Sequence, residues 1–117
     1  MRGRVAWHSG RAAEDQVEER YRRRGYHVAA RRWRGPGGEI DLILRDGIRL
    51  TFVEVKSAAT HALAAERVSA RQASRIAASA SAFLAGEPGG QDTEMTFEVA
   101  LVDGSGRIEI VGNAFLF

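Results

Sequence analysis

Apolar residues along the chain recur with two different periods, and the change of period marks its elements. Between residues 11 and 24, Ala13, Val17 and Tyr21 fall at i, i+4 and i+8. That is the stripe of an amphipathic helix, preceded by Ser9-Gly10 and stopped by Gly25. Residues 26–33 read as a strand, and 34–38 (RGPGG) as a flexible loop leading to Glu39. The runs 38–45 (GEIDLILR) and 48–56 (IRLTFVEVK) predict two strands joined by Asp46-Gly47, a strong hairpin signal. Residues 60–67 are ambiguous. Ser69, with Gln72 three residues later, predicts a capping box opening a helix that Gly86 closes. Its inward stripe is Gln72, Ile76 and Ala80 with Phe83 and Leu84. Beyond a loop at 86–92, residues 93–102 and 107–111 predict two more strands around Asp103-Gly104-Ser105-Gly106. The order α-β-β-β-α-β-β describes an α/β domain with a mixed sheet flanked by helices.

Composition narrows the chemistry. The 117 residues suit a single domain over 1–117, 44% of them apolar and none of them cysteine. Disulfides, thiolate zinc sites and cysteine nucleophiles are thereby excluded. No apolar run approaches the ~18–20 residues of a membrane span, and residues 1–11 lack the apolar core of a secretory signal. The expectation is a soluble cytoplasmic protein. The net charge of +2 is uneven: residues 1–34 hold ten arginines against four acids, a balance of +6. Residues 35–117 hold seven cations against eleven acids, a balance of −4. Sixteen of the seventeen cations are arginine, so the single lysine, Lys56, calls for a chemical reason.

A two-residue Asp46-Gly47 turn pairs Arg45 with Ile48, and the later pairs follow. Glu39 then lies opposite Glu54, and Asp41 is diagonal to it. Strand alternation puts Glu39, Asp41, Glu54 and Lys56 on one face, with Ile40, Leu42, Leu44, Val53 and Val55 on the other. Carboxylates so close raise one another's pKa and call for a proton, a cation or a divalent metal. Mg²⁺ or Mn²⁺ suits an all-oxygen set of Glu39, Asp41 and Glu54, and leaves room for substrate phosphate. An ammonium at Lys56 would orient an attacking water or neutralise charge on a phosphate. These parts suit metal-assisted hydrolysis of a phosphodiester. The competing reading is a solvated face of cross-strand ion pairs, which the apolar surroundings of both acids disfavour.

Gly38-Glu39-Ile40-Asp41, twelve further residues, then Glu54-Val55-Lys56 resembles the PD-(D/E)xK signature of restriction-endonuclease-like nucleases. More narrowly, the chain resembles the YraN-like proteins of that superfamily. The likeness extends through Ala13-Glu14, Gly25-Tyr26, Val68, Arg75-Ile76, Phe97-Glu98 and Asn113-Ala114-Phe115. The resemblance implies a restriction-endonuclease-like α-β-β-β-α-β core, with Asp41 and Glu54 as metal ligands and Lys56 as catalytic lysine. It also implies a catalytic role for Glu14, whose alternative is simple complementarity to the helix dipole. The chain departs from its apparent relatives at Gln72, where many have lysine, at Ala58, where they have arginine, and at Glu98, where aspartate is usual.

Arg31, Arg32 and Arg34 around Trp33, and Arg71 with Arg75 on one helix face, are candidate contacts to nucleic-acid backbone. Arg22-Arg23-Arg24 is a further candidate contact, for which the competing reading is i, i+4 pairing of Glu18 with Arg22 and Glu19 with Arg23, and cations at a helix C-terminus. His8, His27 and His61 lack metal-ligand spacing, and Trp7, Phe115 and Phe117 read as packing residues. The expectation is thus an Mg²⁺-dependent endonuclease, a phosphodiester hydrolase acting on DNA, with branched DNA as in Holliday-junction resolvases a suitable substrate. The alternatives are a non-catalytic nucleic-acid-binding module on the same fold and an interaction protein with an acidic face. A homodimer is compatible with cutting two strands, but no residue demands one.

Overall fold

The computed structural model describes residues 2–112, with side chains from residue 10 onward. Trp7, His8, Phe115, Phe117 and the Asn113-Ala114-Phe115 resemblance therefore lie outside the described side chains. Helix α1 spans Arg2–Arg23. It is followed by strands β1 (His27–Gly35), β2 (Gly38–Asp46) and β3 (Arg49–Ser57). Helices α2 (His61–Ala65) and α3 (Ala70–Leu84) come next, then β4 (Met95–Val102) and β5 (Ile108–Gly112). The strands form one mixed sheet in sequential order β1-β2-β3-β4-β5, in which only β3 and β4 run parallel. Helices flank it on both faces.

Helix α1 begins nine residues before the expected start, because Ser9-Gly10 is absorbed into it rather than capping it. Open space surrounds Gly10, and no proline interrupts the run. Its end is as expected: Arg20, Arg22 and Arg23 occupy the last turn, where cations favour the helix dipole, and Gly25 adopts φ +92°. Ala13, Val17 and Tyr21 are buried against Leu42, Leu44, Val53, Ala100 and Val102. On the opposite face, α3 covers Ile40, Ile43, Leu50, Phe52, Val99 and Leu101 with Ala73, Ile76, Ala80 and Leu84. Phe83 meets Trp33 and Phe52 edge-on, at centroid distances of 5.3 and 6.1 Å. The ambiguous segment after β3 forms the short α2, capped by the Thr60 side chain on the Leu63 N–H.

The β2–β3 register differs from the expectation by two residues. Asp46 pairs with Arg49 and Leu42 with Val53, so Gly47-Ile48 is the turn instead of Asp46-Gly47. Gly47 has φ +63°, and neither Asp46 nor Ile48 has a positive φ, the pattern of a II′ hairpin rather than the I′ turn that Asp-Gly would build. Glu39 is consequently not opposite Glu54.

The segment expected to be a flexible loop is a tight hairpin turn. Gly35 pairs with Gly38 across Pro36-Gly37, and the turn is pressed onto α3. A Cβ on Gly37 would lie 1.9 Å from the Arg75 carbonyl oxygen, so only glycine fits. Fully buried Ser79 holds the turn from below. Its hydroxyl accepts from the Gly37 N–H (3.0 Å) and donates to the Gly38 carbonyl (2.8 Å). Ser79→Ala leaves both groups without that partner, and the expected cost is about 1–3 kcal/mol. Urea unfolding should show a lower midpoint at unchanged m-value. An unchanged midpoint would mean that water replaces the hydroxyl.

Candidate active site

Besides a bulge on β1 between Val28 and Ala30, strand alternation breaks at one place shared by β1 and β2, and that break builds the site. On β2, Ile40 packs toward α3 but Leu42, two residues on, packs toward α1. β1 reverses at the matching place: Trp33 packs toward α3, whereas Arg31 reaches Glu18 on α1. Between the Arg31–Leu42 and Trp33–Ile40 pairs, the rung of Arg32 with Asp41 is absent from the ladder. Arg32 has φ +46°, the one non-glycine residue with positive φ among those described. A left-handed non-glycine residue costs of order 1–3 kcal/mol and persists only where its surroundings enforce it.

The reversal turns Asp41 toward the backbone of β3. β2–β3 pairing stops at Leu42–Val53, and side chains take over the next rung. The Asp41 carboxylate accepts the Val55 N–H at 2.8 Å, and the Asp41 N–H donates to Glu54 Oε1 at 3.4 Å. Glu54 is only 4% exposed. Its other oxygen, Oε2, accepts from Gln72 Nε2 at 2.7 Å and lies 3.6 Å from the Lys56 ammonium. Burial, then the Asp41 charge, push Glu54 up to about 8. Burial is also the main cause of the rise at Asp41, to which the Glu14 charge adds and which Lys56 opposes.

Glu14 enters from the other side of the sheet. It lines a cleft of about 220 Å³ with Asp41, and Arg32 donates to its Oε1 at 2.9 Å. The structure thus brings Asp41, Glu54 and Lys56 together and sets Glu14 nearby. It removes Glu39 from the shared face: by alternation Glu39 points away from Ile40 and α3, and it pairs with Arg34 at 3.7 Å. Ile40 likewise leaves the face expected for it. Among the described residues, no three of His, Cys, Asp and Glu gather as a metal-binding group.

The expected phosphate contacts divide into two sets. Arg31 is held by Glu18 through two bonds of 2.6 and 2.8 Å, Arg32 by Glu14, and Arg34 by Glu39. Arg71 and Arg75 are exposed on α3 and make no ion pair among the described residues. Arg22 and Arg23 pair with Glu18 and Glu19 as their spacing suggests. Two contacts escaped the sequence reading. Ser69 caps the Gln72 N–H, but the Gln72 side chain reaches Glu54 instead of closing the capping box. Glu98 accepts from buried Tyr21 at 2.5 Å, and burial raises the Tyr21 hydroxyl pKa well above its usual value.

Residues 13–112 match the family described as "Uncharacterised protein family UPF0102". A UPF0102 protein of Cereibacter sphaeroides strain KD131 is 56% identical over 115 residues, 98% of each chain. One from Ruegeria pomeroyi is 59% identical over 107 residues, 92% of this chain and 87% of its own. One from Dinoroseobacter shibae is 50% identical over 112 residues, covering 96% and 84%. Among the described residues, no helix is long and apolar enough to cross a membrane.

The raised carboxyl pair makes stability depend on pH. The folded state keeps a proton on Glu54 that the unfolded chain releases near 4.5. The resulting stabilisation is complete below about 4.5 and is lost as pH rises through about 8. Glu54→Gln mimics the protonated form, so in chelator its stability relative to the parent should rise steadily across that window. Parallel urea melts from pH 4.5 to 8.5 read the difference. A constant difference would mean that Glu54 titrates alike in the folded and the unfolded chain.

Proposed function

The chain belongs to the uncharacterised protein family UPF0102, and within it we propose a metal-dependent nuclease that hydrolyses phosphodiester bonds of DNA. One observation carries the reading: a buried glutamate and a half-buried aspartate on neighbouring strands, joined through each other's backbone, with the chain's only lysine 3.6 Å from the glutamate. A pair of acids so placed destabilises the fold unless a proton or cation neutralises it. The α-β-β-β layout followed by a helix and a parallel strand supports a restriction-endonuclease-like core.

The donor set fits a hard divalent cation such as Mg²⁺ or Mn²⁺, which takes oxygen ligands and is commonly held by one or two carboxylates. Asp41 and Glu54 would hold it. Bound there, it would lower the pKa of a coordinated water and polarise the phosphoryl group. The remaining work falls to side chains of this chain. Lys56 places a positive charge where charge develops on the phosphate and orients the attacking water. Gln72 fixes one oxygen of Glu54 without adding charge. Glu14, steadied by Arg32, adds a third carboxylate on the α1 side, while Arg71 and Arg75 present free guanidinium forks to the nucleic-acid backbone.

A cleavage screen in Mg²⁺ and Mn²⁺ over linear, flapped and four-way DNA tests the proposal. Glu54→Gln and Lys56→Met should each lower the rate on the order of 10²–10³-fold, the usual loss for a group acting on transition-state charge. Binding to all substrates without cleavage of any would favour the non-catalytic module.

Metal binding is tested separately by thermal melts. Mn²⁺ should raise the melting temperature of the parent by linkage, and Asp41→Asn should lose most of that gain. In chelator, Asp41→Asn should be equal in stability or higher by about 0.5–2 kcal/mol, since it relieves repulsion. A metal-insensitive parent whose Asp41→Asn variant melts lower would assign the acids to a purely structural role.

A further inference from the structure

The cleft beside Asp41 is lined by three arginines, Arg11, Arg31 and Arg32. Two are already engaged. Arg31 is bonded by Nε and Nη2 to the two oxygens of Glu18, and Arg32 is bonded to Glu14. These pairs tie α1 to β1, so giving either arginine to a phosphate would mean breaking that tie.

Arg11 differs in every respect. It lies on α1 one turn before Glu14, its side chain is exposed, and its guanidinium makes no hydrogen bond or ion pair among the described residues. Asp15, at i+4, lines the same cleft without coming within ion-pair distance. Residues 1–9 contain no aspartate or glutamate that could engage it. A free guanidinium fork beside two candidate metal-site carboxylates is suited to a bidentate phosphate contact.

We propose that Arg11 is the phosphate-binding arginine of this cleft, holding the nucleic-acid backbone on the α1 side of Asp41. Arg31 and Arg32 then act as positioning residues, fixing Glu18 and Glu14 so that α1 stays against the strand reversal. The inference rests on the nuclease reading and adds the residue that grips the substrate. On this view Arg31 and Arg32 contribute little direct phosphate contact, although their cluster is the more conspicuous one in the sequence. Arg11 and the α3 pair Arg71 and Arg75 stand on the two helices that flank the sheet.

Fluorescence anisotropy with a labelled duplex tests it, using Ca²⁺ as a hard, oxygen-seeking substitute for Mg²⁺ and a range of salt concentrations. Arg11→Ala should weaken binding at every sequence and reduce the slope of log K against log salt by about 0.9. Arg11→Lys should restore the slope while regaining only part of the affinity, because a point charge replaces the fork. Arg31→Ala should lower the melting temperature yet keep the parent slope when measured well below its transition. A parent that binds DNA while Arg11→Ala keeps its full slope overturns the inference and leaves the nuclease reading standing. A parent with no salt-dependent DNA binding overturns both. A drop of the slope in Arg31→Ala but not in Arg11→Ala would return the contact to residues 31–34.

Discussion

Two carboxyl groups share the gap where β2 and β3 cease to pair, and much of the surrounding structure serves to hold them there. Asp41 takes the place of a ladder partner by accepting the Val55 N–H, and Glu54 does the same for the Asp41 N–H. The acids therefore replace a rung of the sheet, so removing them would leave backbone groups unsatisfied. This explains why buried acids can be kept despite mutual repulsion. Their polar atoms are bonded, and no buried side-chain nitrogen or oxygen among the described residues lacks a partner.

Holding the pair costs free energy, and the cost is met by packing on both faces. Phe52, Ile40, Ile43 and Leu50 lie under α3, and Leu42, Leu44 and Val53 under α1, all at most 2% exposed. Each such side chain contributes roughly 1.5–3 kcal/mol when fully buried. That is ample against the left-handed backbone at Arg32 and the desolvation of Glu54. The strain and the site occupy one rung, because only a reversal of β1 and β2 brings Asp41 out of the helix-facing layers.

The ion pairs follow from the same reversal. With Arg31 and Arg32 on consecutive residues yet both directed to α1, the left-handed residue lets Glu18 and Glu14 each receive one arginine. Three arginines of the basic front, Arg20, Arg31 and Arg32, thus join α1 to the sheet. Lys56 and Gln72 play the equivalent part at Glu54, one charged and one neutral, from β3 and from the first turn of α3.

Local pattern alone determined the five strands, the second half of α1 and all of α3, as well as the buried stripes Ala13–Val17–Tyr21 and Ile76–Ala80, but neither the start of α1 nor α2. It also determined that Asp41, Glu54 and Lys56 belong to adjacent strands, since period and turn chemistry are properties of neighbouring residues. The hairpin register was within reach only approximately, because Asp46-Gly47 and Gly47-Ile48 turns differ in backbone sign rather than composition. Which face Glu39 would take, which oxygen Gln72 would find and which arginines would remain unpaired were decided by tertiary structure. The first depends on a backbone reversal at Arg32 that no residue type there announces. A non-glycine residue enters the left-handed region only because distant packing on α1 and α3 outweighs its local preference, and that balance is a property of the assembled fold.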